Sequence, residues 1–92
     1  MTIADRSLDG FISWLQTQDP TGTYDYCYPE ECAVAQFLKS IGSAEFKLTS
    51  EGVTELLGDG RIVNANDQTF GGALTRANAF KSGGLEALRA VW

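Results

Sequence analysis

Residues 69–80 read TFGGALTRANAF and predict an amphipathic helix. Apolar side chains recur here every three or four positions, the spacing of one buried helical face: Phe70, Ala73, Leu74, Ala77 and Phe80. Thr69 can cap this helix, because a threonine hydroxyl accepts hydrogen bonds from the unpaired N–H groups of the first turn. Gly71 and Gly72 each weaken an isolated helix by roughly 1 kcal/mol relative to alanine. Either tertiary packing holds this turn, or the glycines admit another backbone at close range.

Two shorter helices are predicted in the first half of the chain. Ser7 is a candidate N-cap for a helix with one apolar face, formed by Leu8, Phe11, Ile12 and Leu15. The second helix is expected to begin at Pro29, since proline is tolerated in a first turn and Glu30 and Glu31 would lie beside the positive helix end. It continues through an apolar run and ends at Gly42.

Two short strands are predicted in the middle of the chain. Residues 45–49, EFKLT, alternate polar and apolar side chains, as a strand with one buried face does. Residues 61–63 are the second predicted strand. The connection between the strands contains a brief helix that Ser50 can cap and Gly58 ends, followed by the turn pair Asp59-Gly60.

A last helix is predicted over residues 85–92, which Gly83-Gly84 separates from the helix before it. At 92 residues the chain holds one hydrophobic core, because two cores would each bury too little apolar surface. The predicted fold class is therefore α+β, with several short helices packed on a small β-sheet in a single compact domain over residues 1–92. We expect a monomer.

The negative charge is concentrated near the N-terminus. The formal net charge is −5, and residues 1–38 contain six acidic residues and one arginine, whereas the remainder is balanced. Such a field repels nucleic acid and attracts basic protein surfaces, including those that hold a phosphate backbone. No stretch approaches the roughly 18 apolar residues of a membrane span, and the N-terminus lacks the pattern of a signal peptide. These features predict a cytoplasmic protein that does not associate with membranes.

Residues 23–32, TYDYCYPEEC, combine aromatic rings with carboxylates. The three tyrosines alternate, so in an extended segment they would share one face. They either complete the core between the first two helices, or form a ridge that contacts a partner while the acids pair with its arginines and lysines. The predicted partner-binding residues are Tyr24, Asp25, Tyr26, Tyr28, Glu30 and Glu31.

The residues of common reaction centres are absent. Without histidine, a Ser-His or Cys-His nucleophile and the commonest metal ligand are excluded within this chain. Cys27 and Cys32 are expected to be free thiols that serve packing, although four intervening residues sterically permit a disulfide. A thiol-dependent redox function is disfavoured, because the spacing is not C-x-x-C and no basic neighbour favours the thiolate. We predict no catalytic residue, no metal and no cofactor.

Two segments carry a resemblance to a known family. FISWLQTQDPTGTYDYCYPEECAVAQFLKSIG, residues 11–42, together with TFGGALTRANAF resembles a group of small phage and bacterial proteins that includes a type I-F anti-CRISPR. The resemblance implies an inhibitor that docks on the RNA-guided type I-F surveillance complex inside the host bacterium. Such an inhibitor contacts several Cas subunits, approaches the CRISPR RNA, and prevents target DNA from hybridising with the guide.

Charge and side-chain chemistry, rather than a family motif, indicate the contact residues. Asp9 and Asp19 extend the acidic group named above, which would meet lysines and arginines that otherwise guide DNA. The candidates for contacts with RNA phosphate are Arg61, Arg76, Lys81 and Arg89, with solvated helix faces as the alternative for these four. The alternative function is a non-enzymatic phage or bacterial protein-interaction module with another partner.

Overall fold

The computed structural model describes residues 7–25, 32–42 and 50–92, which are largely helical. The elements are α1 (Leu8–Leu15), α2 (Ala33–Ser40), α3 (Ser50–Leu57), a 3-10 helix (Gly60–Ile62) and α4 (Phe70–Val91). Within these ranges there is no strand, and the β-type pairing is an isolated antiparallel bridge between Thr23 and Thr69. The predicted α+β class is therefore wrong, because helices rather than a sheet supply the packed layers of the described chain.

The predicted strand at residues 61–63 is replaced by the 3-10 helix because Asp59 binds the backbone locally. Its carboxylate accepts a hydrogen bond from the Arg61 backbone N–H at 2.8 Å and from the Arg61 guanidinium at 3.1 Å and 3.0 Å. The Val63 N–H then donates to the Gly60 carbonyl, which closes the tight turn. Such local bonds compete with a strand ladder. The other predicted strand, residues 45–49, lies outside the described residues.

The predicted caps of α1 and α4 are confirmed. The Ser7 hydroxyl accepts from the Gly10 N–H at 3.3 Å, and the Thr69 hydroxyl accepts from the Gly72 N–H at 3.0 Å. The predicted start of α2 is wrong: Cys32 is the N-cap, and the first turn contains no acidic residue. Pro29 and the two glutamates after it lie outside the described residues.

Glycines mark the helix ends and one break as predicted. Gly42 follows α2 with φ of +78°, and Gly58 follows α3 with φ of +98°, a region that side chains rarely adopt. Inside α4, Gly84 has φ of 70° and ψ of −156°, which is not helical. The break expected at Gly83-Gly84 is thus present, and it turns residues 85–92 so that Leu88 is fully buried.

The core lies where α1 meets α2 and α4, while α4 and α3 both pack on the 3-10 helix. Aromatic rings fill its centre: Phe11, Trp14 and Phe37 have centroids 5.5–6.0 Å apart, and Trp14 also meets Phe70 edge-on at 5.6 Å. These distances are those of favourable aromatic pairs. Apolar burial therefore joins the first helices to the start of α4. Among the described helices, none has both the length and the apolar character needed to cross a membrane.

Gly71 lets another backbone approach the first turn of α4. Its N–H donates to the Pro20 carbonyl at 3.0 Å, and a Cβ atom at this position would lie only 2.9 Å from the same oxygen. The close approach considered from the sequence is confirmed here. It fixes the 19–25 segment against α4 and so positions Tyr24 over the core.

Candidate functional site: a buried tyrosine–arginine pair and an acidic surface

Tyr24 is part of the core. The residue is only 6 % exposed, and its ring packs on Phe70 with centroids 5.9 Å apart. Its hydroxyl donates to the Val63 carbonyl at 2.6 Å, and its backbone N–H donates to the Gln68 carbonyl at 3.0 Å. For this tyrosine the structure supports the packing alternative rather than a ridge that contacts a partner.

Arg76 is buried beneath the segment that precedes α4. It is 2 % exposed, and its guanidinium donates to the Ile62 carbonyl at 2.7 Å, to the Asp67 carbonyl at 2.7 Å and to the Tyr24 hydroxyl at 3.0 Å. All three acceptors are neutral oxygens. The side chain therefore ties residues 62–67 to α4 from inside, and its burial argues against the predicted contact with RNA phosphate.

The sequence contained a signal for this internal role. Arg76 lies three positions after Ala73 and directly before Ala77, so it belongs to the same helical face that the apolar spacing marks as buried. Both alanines are fully buried. A charged residue on such a face has to find internal acceptors, because an unpaired buried charge is very costly.

Burial changes the acidity of Tyr24, and this gives a pH-dependent prediction. Loss of solvation raises the pKa of Tyr24 to about 12, against a smaller opposing effect of Arg76. The unfolded chain loses the phenolic proton near pH 10, whereas the folded protein keeps it. The contribution of protonated Tyr24 to the free energy of unfolding is therefore fully present below about pH 10 and is lost as the pH rises through about 12. Unfolding thus becomes easier as the pH rises.

We expect the stability advantage of the wild type over Tyr24→Phe to shrink across this window. The decrease should approach about 1.4 kcal/mol per pH unit. Urea unfolding of both proteins at a series of alkaline pH values measures it, and taking the difference removes the titration of the lysines and other groups. If the two free energies of unfolding fall in parallel, Tyr24 does not carry this pH dependence.

The structure describes only two of the six predicted partner-binding residues, Tyr24 and Asp25. Asp25 is half-buried and borders a polar cleft with Thr23, Gln36 and Gln68. The other members of the group after Asp25 lie outside the described residues: Tyr26, Tyr28, Glu30 and Glu31. Tyr24, although largely buried, lines the same cleft as Asp25. The two predicted contact residues that the structure describes thus border one cleft.

Two further acids lie on the surface. Asp9 is exposed on α1 and forms an ion pair with Lys81 of α4. Asp9 was predicted to contact a partner protein and Lys81 to contact RNA phosphate. Asp19 is exposed and accepts from the Thr21 N–H at 2.9 Å and hydroxyl at 2.8 Å, which lowers the pKa of its carboxyl group. Its charge remains directed to solvent while it shapes the turn.

The predicted cationic residues occupy separate places. Arg61 pairs with Asp59 at 3.0 Å; its hydrogen bonds lower the pKa of the Asp59 carboxyl group and raise the pKa of the guanidinium. Arg89 is exposed in the last turn of α4. Together with the buried Arg76 and the paired Lys81, these positions do not form one basic patch.

Cys32 and the described carboxylates are the side chains that could form a thiol or metal site. Cys32 is a buried free thiol whose pKa is raised by loss of solvation, which disfavours the reactive thiolate. In the parts of the chain described, no group of three or more cysteine, aspartate or glutamate side chains is arranged to hold a metal ion. The packing role predicted for Cys32 is confirmed by its burial.

Comparison of the chain with protein-family models, curated proteins and solved structures gives no match.

Proposed function

We propose that this protein inhibits the type I-F CRISPR surveillance complex by binding Cas subunits and blocking hybridisation of target DNA with the guide. The observation that carries the proposal is the charge asymmetry: the whole excess of negative charge lies in residues 1–38. Asp19 displays part of this charge at the described surface, whereas Asp9 is paired with Lys81. The resemblance to anti-CRISPR proteins implies a type I-F complex as the partner.

The inhibitor acts by occupancy and electrostatic field, without chemistry. A protein channel that holds DNA is lined with lysine and arginine, and an acidic protein surface is complementary to it. Once bound, the inhibitor covers basic residues that the incoming DNA needs. Contact with the CRISPR RNA is a secondary part of the proposal, and exposed Arg89 suits it better than buried Arg76.

A DNA-binding assay with the purified type I-F complex tests the proposal. We expect fluorescence anisotropy to show that target DNA binding is lost as the protein is added in stoichiometric amounts, and the protein to co-elute with the complex. Unchanged DNA binding together with separate elution would reject inhibition. In that case, recovery of an unrelated partner from host lysate would favour the alternative interaction module.

Neutralising acids in the N-terminal part should slow association with the complex. We expect Glu30→Gln/Glu31→Gln to bind about three- to tenfold more slowly at low ionic strength, because electrostatic steering accelerates encounter by about ten- to a thousandfold in total. The difference should shrink as salt screens the charges. Stopped-flow or biosensor kinetics over a salt series measure it.

A matched control variant distinguishes the effect of where the charges lie from the effect of the net charge. Glu55→Gln/Glu86→Gln removes the same number of charges from exposed positions in the balanced part of the chain. It should associate at nearly the wild-type rate. Equal slowing by both double variants would show that net charge alone matters and would remove residues 30 and 31 from the proposed contact.

A further inference from the structure

A polar cleft lies between the C-terminal end of α4 and the segment that leads into this helix. It is lined by Asn64, Ala65, Asn66, Gln68 and Trp92 and has a volume of about 290 Å³. This volume is close to the roughly 300 Å³ at the lower end of small-ligand pockets. The cleft is therefore suited to a small ligand or to one protruding group of a larger one.

The indole of Trp92 is held in place but remains accessible. Its N–H donates to the Asn64 carbonyl at 2.8 Å, although the residue is 58 % exposed. The break at Gly84 and the fully buried Leu88 hold the last helical segment against the body of the protein. Because its polar atom is already paired, the ring offers an oriented apolar surface for stacking.

The five described residues that line the cleft have uncharged side chains. The side chains of Asn64 and Asn66 are exposed, and each amide provides both donors and an acceptor. Asp67, between them and α4, directs its carboxylate to the Thr69 N–H and hydroxyl at 3.1 Å and 2.7 Å. The chemistry is thus that of a neutral planar ring with a hydrogen-bonding edge, and not that of a phosphate.

We propose that this cleft binds a nucleobase, stacked on Trp92 with its edge hydrogen-bonded by the asparagine amides. Aromatic stacking with amide contacts is how proteins bind unpaired bases. The base belongs either to a free nucleoside or to single-stranded nucleic acid. The site uses none of the acids assigned to inhibition, so it can be tested on the isolated protein and can fail without affecting the proposed function.

An NMR titration of the isolated ¹⁵N-labelled protein with adenosine and, separately, with a short oligoadenylate tests the site. The chain has two tryptophans, so the indole signal of Trp92 can be followed beside that of Trp14. We expect saturable shifts of the Trp92 indole and of the Asn64 and Asn66 amides, with the Trp14 indole unchanged. Shifts with both ligands identify a nucleoside site, and shifts with the oligonucleotide alone identify a single-strand site; either supports the proposal.

Variants separate stacking from unspecific effects. Trp92→Leu should weaken binding at least about fivefold, because base stacking accounts for this much or more. Val91→Ala, at an exposed neighbouring position, should bind like the wild type. Unchanged core signals will show that both variants are folded. Methyl glucoside, titrated separately, is the control for a ligand without a base. The proposal is overturned if neither ligand shifts the Trp92 indole, if Trp92→Leu binds as tightly as the wild type, or if methyl glucoside gives the same shifts.

Discussion

Replacing Arg76 with methionine should lower the free energy of unfolding by about 3–5 kcal/mol. The guanidinium donates to two backbone carbonyls and to the Tyr24 hydroxyl in the interior. Methionine fills a similar volume but provides no donor, so the Ile62 and Asp67 carbonyls lose the hydrogen bonds that Arg76 donates. The total stability of a small protein is about 5–15 kcal/mol, so this one change removes a large share of it.

A buried charge can sometimes be replaced by an apolar residue without loss, and the present geometry explains why we expect the opposite. That exchange is neutral when both partners become apolar. Here the acceptors are mostly main-chain carbonyls, which no side-chain substitution can remove. Desolvated carbonyls without partners are costly.

Urea unfolding followed by circular dichroism measures this loss, and two variants on α4 control it. Arg76→Lys keeps the charge but lacks the planar fork that reaches three acceptors, so it should lie between wild type and Arg76→Met. Arg89→Met, at an exposed position of the same helix, should change stability by no more than about 0.5 kcal/mol. Similar values for Arg76→Met and Arg89→Met would contradict the internal role of Arg76.

Replacing Phe37 with alanine should cost about 3–5 kcal/mol, the usual effect of deleting a buried aromatic ring. Phe37 is fully enclosed and meets the rings of Phe11 at 5.5 Å and Trp14 at 5.9 Å. These contacts join α2 to α1, so the cavity would lie at the junction of the two helices. Chemical unfolding gives the free energy, and a red shift of tryptophan emission would report increased solvation of Trp14.

Phe37→Leu separates the volume effect from the mere loss of an aromatic residue. Leucine refills most of the space, so we expect a cost below about 1.5–2 kcal/mol. If alanine and leucine destabilise the protein equally, aromatic geometry rather than the cavity determines the loss. If neither destabilises it, Phe37 does not join α1 to α2 in the manner described.

Local chemistry was sufficient to predict much of the helical structure. Ser7 and Thr69 cap helices because their hydroxyls meet N–H groups only three residues away, and Gly42 and Gly58 end helices because they adopt positive φ. The error at residues 61–63 has an equally local cause. The apolar run favoured a strand, but the hydrogen bonds of Asp59 stabilise a tight turn.

The contact residues were harder to predict, because exposure depends on what the rest of the chain covers. Lys81 and Asp9 are far apart in sequence and neutralise each other across α1 and α4. Trp92 borders a cleft because its indole binds a carbonyl 28 residues earlier in the chain. Neither relation follows from spacing within one helix.

The sequence by itself determined the composition, the concentration of negative charge before residue 39, the caps of α1 and α4 and the glycines that end or break the helices. These depend on residues a few positions apart, whose geometry the backbone dictates. Only the tertiary structure decided that the first tyrosine of the TYDYCYPEEC stretch, Tyr24, is a core residue and that Arg76 is its internal partner. The two lie 52 positions apart, and their bond forms only where packing excludes water from both.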